Sequence, residues 1–211
     1  MGFRRMLASL AGASLLATAV AVIGFGGAAE ADTPNGQVIP VSGSIGGLFT
    51  DVMCLDVKIE DGYYSPNARI QQWECTGGNE EQFHAHPYAL VGTSWGSRWV
   101  YQWVNLRSGQ CMEVRDGALG KGAQIDQFPC ATGGVVNSLN ARQLWLETRL
   151  NASPYYIVQP WSALSAGLNM CLDVSNSSHD NGAKIQQWTC NGTDAQLYVG
   201  DVMVNDGAVV G

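Results

Sequence analysis

The sequence predicts an all-β fold assembled from three copies of one strand–turn–strand unit. The copies start 57 and then 60 residues apart, which is the near-even spacing of a repeat architecture. Beyond the N-terminal segment, no stretch places apolar residues at i, i+3, i+4 and i+7 for long enough to predict a substantial helix. The copies run from Cys54 to Cys75, from Cys111 to Cys130 and from Cys171 to Cys190.

Each copy has the same two halves. In the third copy they read Cys-Leu-Asp-Val (Cys171–Val174) and Ile-Gln-Gln-Trp-Thr-Cys (Ile185–Cys190). The first copy repeats them almost letter for letter, and the second has Cys-Met-Glu-Val and Ile-Asp-Gln-Phe-Pro-Cys. Because two short strands cannot bury their own apolar face, the three copies must share one core. Closure into a barrel capped by three hairpins would also remove exposed sheet edges.

Short apolar runs predict the strands in chain order. The alternation over Val38–Val41 predicts the first strand, and Leu48–Val57 and Arg69–Cys75 predict the strand pair of the first copy. The segment between them, Lys58–Ala68, is rich in turn residues. Aromatic residues at period two over Val91–Leu106 predict a half-buried strand pair.

The later strands are predicted in the same way. Tyr155–Val158, together with Trp161, corresponds to the aromatic strands of the first copy. Leu197–Val199 and Val202–Val204 predict the closing strands. The last residues, Gly207–Gly211, are apolar and have no evident strand partner.

The N-terminal segment, residues 1–31, has the composition of a secretory signal peptide. Arg4 and Arg5 form a positive end, an Ala/Leu/Val-rich run follows, and Ala29–Ala31 offers a small-x-small cleavage site. An uncleaved membrane anchor is the alternative, and the arginine pair would also suit a twin-arginine export route. Glycines near the end of the run and the cleavage site argue against the anchor, and ordinary secretion is preferred because the sequence shows no more of the twin-arginine signal than the arginine pair.

We therefore expect a secreted protein whose residues 32–211 form a single domain. The three repeats would span about 38–103, 104–163 and 164–211, and a domain of this size can bury a core. The whole chain has 11 basic and 18 acidic residues. Without Arg4, Arg5 and Glu30 these become 9 and 17, a net charge of −8. That balance disfavours nucleic acid and anionic membranes as partners, because both require a positive surface.

The cysteines predict three disulfides. Every cysteine falls within a copy, two in each, and the expected compartment is oxidising. The repeat favours one bridge per copy, Cys54–Cys75, Cys111–Cys130 and Cys171–Cys190. Each would close a loop of about 20 residues and stabilise the folded chain by about 3 kcal/mol in the chain-entropy model. A zinc site is the competing interpretation, but the sequence has no Cys-x-x-Cys spacing.

These motifs resemble the repeat of the ricin B-type lectin family. The resemblance rests on Cys-x-Asp-x, the later Gln-x-Trp-x-Cys, and a further Gln-x-Trp after the second cysteine. The further motif reads Gln143-Leu-Trp145 in the second copy, Gln196-Leu-Tyr198 in the third and Glu81-Gln-Phe83 in the first. The resemblance covers about 54–204 and implies a β-trefoil with threefold pseudosymmetry. The copies are longer than is usual in the family, mainly through insertions after each second cysteine.

The resemblance also implies two sugar sites. In this family the aspartate of Cys-x-Asp-x accepts hydrogen bonds from two sugar hydroxyls. The glutamine that begins Gln-x-Trp before the second cysteine supports the aspartate, and the aromatic ring of that motif stacks on the sugar. This division of labour suits a sugar, which offers hydroxyls on its edge and an apolar C–H face. The residues at these positions are Asp56, Gln71 and Trp73 in the first copy, and Asp173, Gln186 and Trp188 in the third.

One family feature is displaced in this chain. The family uses an asparagine a few residues past the second cysteine, and Glu80 and Ala195 occupy that position here. Asn79 and Asp194, one residue earlier, are the candidate substitutes, and Gln196 keeps the neighbouring position in the third copy.

The second copy departs further. It has Glu113 for the aspartate, Asp126 for the glutamine and Phe128 for the tryptophan. Asp126 would place a like charge where an amide should support the carboxylate. We expect this copy to be structural.

Several residues have a simpler structural interpretation. Trp73 and Trp188 would equally serve as buried packing residues, and Asp56 and Asp173 as turn caps. Trp145 is expected to fill the core.

The function that these residues predict is non-catalytic carbohydrate binding by a monomer without a cofactor. By resemblance, the ligands are galactose-containing glycans or plant polysaccharides. The alternative is a β-trefoil with decayed sugar sites that binds or inhibits a protein through its insertions at Thr76–Trp103 and Ala131–Ala141. An enzyme is not expected, because nucleophile motifs such as Gly-x-Ser-x-Gly are absent. His84 and His86 lie two apart but have no third ligand nearby in sequence, so no metal site is expected.

Overall fold

The computed structural model describes residues 36–41, 52–150, 153–200 and 209–210. Strands dominate these residues, as the periodicity predicts. The strands are β1 (Gly36–Pro40), β2 (Met53–Val57), β3 (Ile70–Glu74), β4 (Gln82–Thr93), β5 (Gly96–Asn105), β6 (Cys111–Val114), β7 (Ala123–Phe128), β8 (Trp145–Leu150), β9 (Tyr156–Pro160), β10 (Met170–Val174), β11 (Ala183–Thr189), β12 (Tyr198–Gly200) and β13 (Val209–Val210).

Among the residues that the structure describes, helical structure is limited to short turns. One α-helix, α1, spans Trp161–Ser165, and none of the helices in the described ranges is long and apolar enough to cross a membrane. The 3₁₀ turns are Ile59–Asp61, Asn79–Glu81, Arg115–Gly117, Ala141–Gln143, Ser175–Ser177 and Asp194–Gln196.

Each sequence copy folds into a hairpin with the same register. In β2–β3, Asp56 lies opposite Gln71. In β10–β11, Asp173 lies opposite Gln186, and in β6–β7 Glu113 lies opposite Asp126. The shared register places corresponding side chains on the same face, because side chains alternate along a strand.

The hairpins are joined to one another through three buried glutamines. Each one donates its side-chain amide to backbone carbonyls in the turn of another hairpin. Gln72 donates to Ser178 and Asp180, Gln127 to Tyr63 and Ser65, and Gln187 to Ala118 and Gly120, at 2.6–3.4 Å. The contacts therefore run in a cycle, with each hairpin held by the next. Backbone pairing of β11 with both β3 and β7 completes the assembly.

The remaining strands extend the sheet around a single large core. β1 pairs with β4 and β12, β5 with β4, β6 and β8, and β9 with β8 and β12. Trp103 and Trp145 are fully buried, with their ring centroids 6.4 Å apart. The Trp145 Nε1 donates to the Met112 carbonyl at 3.0 Å, and the Trp103 Nε1 donates to Glu147 Oε1 at 2.7 Å. The expectation that Trp145 fills the core is confirmed.

The disulfides join the cysteine pairs that the repeat predicts. They are Cys54–Cys75, Cys111–Cys130 and Cys171–Cys190, with Cα–Cα distances of 5.2, 4.9 and 5.0 Å. Each links the start of a hairpin to a cysteine one or two residues beyond its second strand, so the bridge closes the open end of the hairpin.

The insertion after the first copy builds a second, smaller cluster. β4 and β5 form a long hairpin that turns at Ser94 and Trp95. Buried Val91, Val100, Leu144 and Leu146 pack there, together with side chains that include Trp161 of α1. The predicted strand pair at 91–106 is therefore only the end of a hairpin that begins at Gln82.

Two sequence predictions are wrong in this region of the fold. Trp161 begins α1 and does not continue a strand. Val209–Val210 at the C-terminus pairs in parallel with Arg149 and Leu150 of β8, although no partner was evident from the sequence. A sheet edge pairs through backbone groups, so side-chain patterning gives little warning of such a partner. The predicted signal peptide, residues 1–31, and the predicted strand residues 48–51 and 202–204 lie outside the described residues.

Candidate functional site

The first-copy site is centred on the buried carboxylate of Asp56. Asp56 is in β2, and only 7% of its surface is exposed. Gln71, directly opposite on β3, donates from Nε2 to Asp56 Oδ1 at 2.8 Å. The amide thus fixes one carboxylate oxygen, while the other accepts no hydrogen bond from the described residues.

Beside this pair lies an open cavity of about 230 Å³. Trp73, two residues beyond Gln71 on the same strand, lines it with 36% of its surface exposed. The long turn between β2 and β3 contributes Glu60 and Tyr63. An aromatic face and a carboxylate therefore border the same cavity, which is the combination that binds the face and the hydroxyls of a sugar.

The third-copy site repeats this geometry. Gln186 Nε2 donates to Asp173 Oδ1 at 2.8 Å, and Trp188 is 37% exposed. The flanking glycines correspond as well. Gly122 lies against Gln186 and Trp188, and Gly182 lies in the same way against Gln71 and Trp73. Both glycines have φ near +80°, a conformation that side-chain-bearing residues rarely adopt. Each glycine belongs to the turn of a neighbouring hairpin, so that hairpin borders the site.

The two sites differ at the position that Gln196 occupies in the third copy and Glu81 in the first. In the third copy, Gln196 donates from Nε2 to Asp173 Oδ2 at 3.0 Å, so both carboxylate oxygens are held. In the first copy the same position is Glu81, which cannot donate a hydrogen bond to Asp56 when it is ionised. The Glu81 carboxylate instead accepts hydrogen bonds from Gln37, Thr76 and the Gly77 backbone N–H, at 2.8–3.0 Å.

The electrostatics of the two aspartates differ for this reason. Burial raises the pKa of Asp56 to about 6; the Gln71 hydrogen bond opposes the rise, and Glu81, Glu80 and Glu60 add to it. Burial also raises the pKa of Asp173, but there the hydrogen bonds from Gln186 and Gln196 oppose it and no neighbouring carboxylate contributes.

The raised pKa of Asp56 predicts a pH-dependent stability. The folded chain binds a proton at Asp56 near pH 6, whereas the unfolded chain binds it near the ordinary value of 3.8. Stability from this group is therefore fully present below the unfolded pKa and is lost as the pH rises through about 6. We expect wild type to lose about 2–3 kcal/mol relative to Asp56→Asn as the pH rises from about 4 to 7.

Urea unfolding of both proteins across this pH range measures the effect. Asparagine keeps an Oδ1 acceptor for Gln71 but does not titrate, so other carboxylates cancel in the difference between the two proteins. A stability difference that stays constant with pH would show that Asp56 titrates normally.

The second copy holds a cation of its own at the corresponding position. The Arg142 guanidinium carbon lies 5.0 Å from the Phe128 ring centroid, and its Nε lies 3.2 Å from Glu113 Oε2. Arg115 pairs with the buried Asp126, with Nε 2.5 Å from Oδ2. Arg142 thus covers the ring and the carboxylate that a sugar would need, which supports the structural role expected for this copy.

Two further predicted residues open the 3₁₀ turns that follow the second cysteines of the first and third copies. Asn79 and Asp194 are exposed at the first positions of their 3₁₀ turns, and Asn79 does not line the first-copy cavity. Glu80 does line that cavity, as do Tyr63 and Glu60, which sequence reasoning did not assign to the site. Alignment of Glu81 with Gln143 and Gln196 was the available signal for the acidic first-copy site.

The turn-cap interpretation of the aspartates is wrong. Asp56 and Asp173 lie within strands and accept hydrogen bonds from glutamine side chains. Trp73 and Trp188 are not fully buried, since each exposes more than a third of its surface. Across the described ranges, no three His, Cys, Asp or Glu side chains are placed to share a metal ion.

Comparison with known proteins identifies relatives in fold. No protein-family profile and no curated protein sequence matches this chain. Among solved structures, the designed threefold-symmetric protein ThreeFoil matches with a TM-score of 0.60 at 20% identity, over 79% of this chain and 96% of the design. The ricin B-like lectin of Macrolepiota procera, solved in complex with lactose, matches with a TM-score of 0.55 at 13% identity, over 81% of this chain and 96% of the lectin.

A larger protein also contains the fold. An exo-beta-1,3-galactanase from Clostridium thermocellum matches with a TM-score of 0.57 at 23% identity, over 80% of this chain but only 30% of that enzyme. At these identities the likeness concerns the fold and not the activity. The resemblance predicted from the repeated motifs is confirmed at that level: the chain shares its fold with the ricin B-like lectins.

Proposed function

We propose that this protein is a non-catalytic, carbohydrate-binding β-trefoil with sugar sites in its first and third repeats. The observation that carries the proposal is the recurrence of one constellation. A buried aspartate, a glutamine amide 2.8 Å from its Oδ1 and a half-exposed tryptophan on the same hairpin occur in both copies. Core packing explains neither the exposed rings nor the buried carboxylates.

The binding chemistry follows from the hydrogen-bonding capacity of the carboxylate. An ionised carboxylate offers about four acceptor sites, of which the glutamines use one in Asp56 and two in Asp173. The remaining sites accept hydrogen bonds from two neighbouring sugar hydroxyls, and such charge-assisted bonds are stronger than neutral ones. Trp73 or Trp188 then packs against the apolar face of the same sugar.

The first-copy cavity is open and the third-copy site repeats its side-chain geometry, so a single sugar residue is expected to bind weakly at either. Two sites on one chain allow a polymer or glycan-covered surface to engage both, and the second contact then becomes intramolecular. We expect a multivalent polysaccharide to bind about 100-fold more tightly than its monosaccharide. The ligands proposed are galactose-containing glycans or plant polysaccharides, in line with the lactose complex of the Macrolepiota procera lectin.

The domain organisation belongs to the same proposal. Residues 1–31 serve as an export signal, and 32–211 form one domain with repeats at about 38–103, 104–163 and 164–211. The protein works outside the cell as a monomer, and its acidic surface does not recruit nucleic acid or anionic membranes.

A glycan array and a polysaccharide pull-down test this function. Wild type is compared with the Asp56→Asn/Asp173→Asn double variant, and Asp116→Asn serves as the control. Asp116 is exposed in the second hairpin with φ of 56°, a conformation that Asn176 adopts at the corresponding position of the third, so asparagine fits there. Binding by wild type and by the control, with loss in a double variant that still unfolds cooperatively, is the expected result.

Two outcomes contradict the proposal in different ways. Undiminished binding by the double variant would place the sugar site elsewhere on the protein. Absence of binding to any glycan by wild type would favour a protein-binding role. That second role has an observation of its own, because Leu90, Trp95, Val135 and Leu139 expose 58–81% of their surfaces around the β4–β5 insertion. Loss of a captured protein partner on Trp95→Ser would support it.

A further inference from the structure

Corresponding aromatic rings in the three repeats have different neighbours. In the second repeat, the Arg142 guanidinium lies over Phe128. In the third, Lys121 Nζ lies 5.7 Å from the Trp188 ring centroid. In the first, Asn181 occupies the position equivalent to Lys121, and its Oδ1 accepts from the Glu74 backbone N–H. Among the described residues, no cation lies over Trp73.

The first repeat also has the most acidic site. Asp56, Glu60, Glu80 and Glu81 all line its cavity. The corresponding site in the third repeat has Ala195 in place of Glu80 and Gln196 in place of Glu81. Arg107 pairs with Glu80 at 3.3 Å, so one of the four carboxylates has a basic partner at the rim of the cavity. The cavity as a whole remains negative.

Two residues that line this cavity each have a side-chain oxygen that accepts no hydrogen bond from the described residues. Asp56 Oδ2 accepts no bond from the described residues, although the side chain is more than nine-tenths buried. Gln71 is 4% exposed and lines the same cavity, and its Oε1 is buried without a partner. An unpaired carboxylate oxygen beside an open cavity suits a ligand that donates hydrogen bonds, and the buried Gln71 Oε1 adds a second unpaired acceptor next to it.

We propose that the first-repeat site selects a sugar that carries a protonated amine, which places its ammonium against Asp56 and its ring on Trp73. This inference rests on the proposed carbohydrate-binding function and specifies the ligand of one of its two sites. An ammonium has three donors and no acceptor, which matches a cavity of unpaired carboxylate and amide oxygens. The third repeat has Lys121 beside its ring and one glutamine hydrogen bond on each Asp173 oxygen, so it prefers neutral sugars.

The chemistry of the cavity favours an amino sugar over other cations. A metal ion is disfavoured, because across the described part of the chain no three acidic, His or Cys side chains are placed to share one. A lysine side chain would satisfy the carboxylates but would leave Trp73 without an apolar ring face to pack against. An amino sugar supplies both the ammonium and the ring.

Calorimetric titration of Asp173→Asn isolates the first repeat. The probes are galactosamine and glucosamine, each beside its neutral parent sugar and its N-acetyl derivative, near pH 6.5 and at low salt. We expect the free amino sugar to bind about tenfold more tightly than either relative, a preference that falls as salt is raised. Nα-acetyl-lysine amide, in which the ε-amine is free, serves as a probe that has an ammonium but no sugar ring.

Glu81→Gln is the decisive variant, with Asp116→Asn as a control that removes one charge outside the site. The new amide can donate to Asp56 as Gln196 donates to Asp173, so the preference for the amino sugar should disappear. Glu80→Gln provides a second variant and should weaken the preference. The Asp116→Asn control should keep it.

The contrary outcomes separate this inference from the proposed function. Equal binding of amino and neutral sugars, or equal binding of acetyl-lysine amide, would overturn the inference and leave the lectin role intact. The same holds if Asp173→Asn binds no sugar while wild type does. Failure of wild type to bind any glycan would instead overturn the proposed function on which the inference rests.

Discussion

Replacing Gln187 by alanine is expected to lower the free energy of unfolding by about 2–4 kcal/mol. Gln187 is fully buried, and its Nε2 donates to the Ala118 and Gly120 carbonyls at 2.7 and 2.9 Å. Alanine would leave both carbonyls without that donor and create a cavity between two hairpins. The loss is partly offset because Gln187 Oε1 is itself buried without a partner.

The preceding residue provides a matched comparison. Gln186 is equally a buried glutamine on β11, but its amide donates to Asp173 in the site and not to another hairpin. We expect Gln186→Ala to cost only about 1 kcal/mol of stability, since one hydrogen bond within the hairpin is lost. Its effect should fall on binding, because Asp173 loses the group that orients it.

Urea unfolding and sugar titration of the two variants test this division of roles. Gln187→Ala should be the less stable protein and should keep its sugar affinity under conditions where it remains folded. Gln186→Ala should be nearly as stable as wild type and should bind the third-repeat ligand at least about tenfold more weakly. If Gln187→Ala is no less stable than Gln186→Ala and both remain close to wild type, the cyclic contacts do not hold the hairpins together.

Sequence repetition predicts much of this fold because it constrains many residues at once. Pairing of the cysteines, the hairpin positions and the buried Trp145 all follow from aligning the copies. Features that occur in one copy only are not predicted, because the other copies contain no corresponding residues from which to infer them. The α1 turn at Trp161 and the pairing of Val209 with β8 are examples.

The site was predictable in its centre and not at its edge. Asp56 and Gln71 were placed together by the motif, and the structure brings them within hydrogen-bond distance at 2.8 Å. Tyr63 reaches the cavity through a turn that is longer than its counterparts, and turn length does not determine where a side chain points. Arg142 covers Phe128 only because of tertiary packing, although both residues stand in the motif region.

The sequence does not decide whether Trp73 and Trp188 stack on a sugar or pack within the protein. The Trp188→Ala variant distinguishes the two roles. Trp188 exposes 37% of its surface, whereas Trp145 is fully buried in the core. We expect Trp188→Ala to lower the affinity of the third repeat about thirtyfold, or about 2 kcal/mol, because the sugar loses the ring on which it packs. Trp188→Phe should recover part of this loss, since a smaller aromatic face remains.

Stability separates ring stacking from packing. Trp145→Ala should cost about 3–5 kcal/mol, the usual penalty for emptying a buried tryptophan site. Trp188→Ala should cost less than about 1.5 kcal/mol, because much of its ring already contacts water. The titrations are made in an Asp56→Asn background, so that only the third repeat binds. If Trp188→Ala instead destabilises the protein as much as Trp145→Ala and leaves the affinity unchanged, then the exposed ring is a packing residue, and the constellation loses the group that distinguishes a sugar site from a buried polar pair.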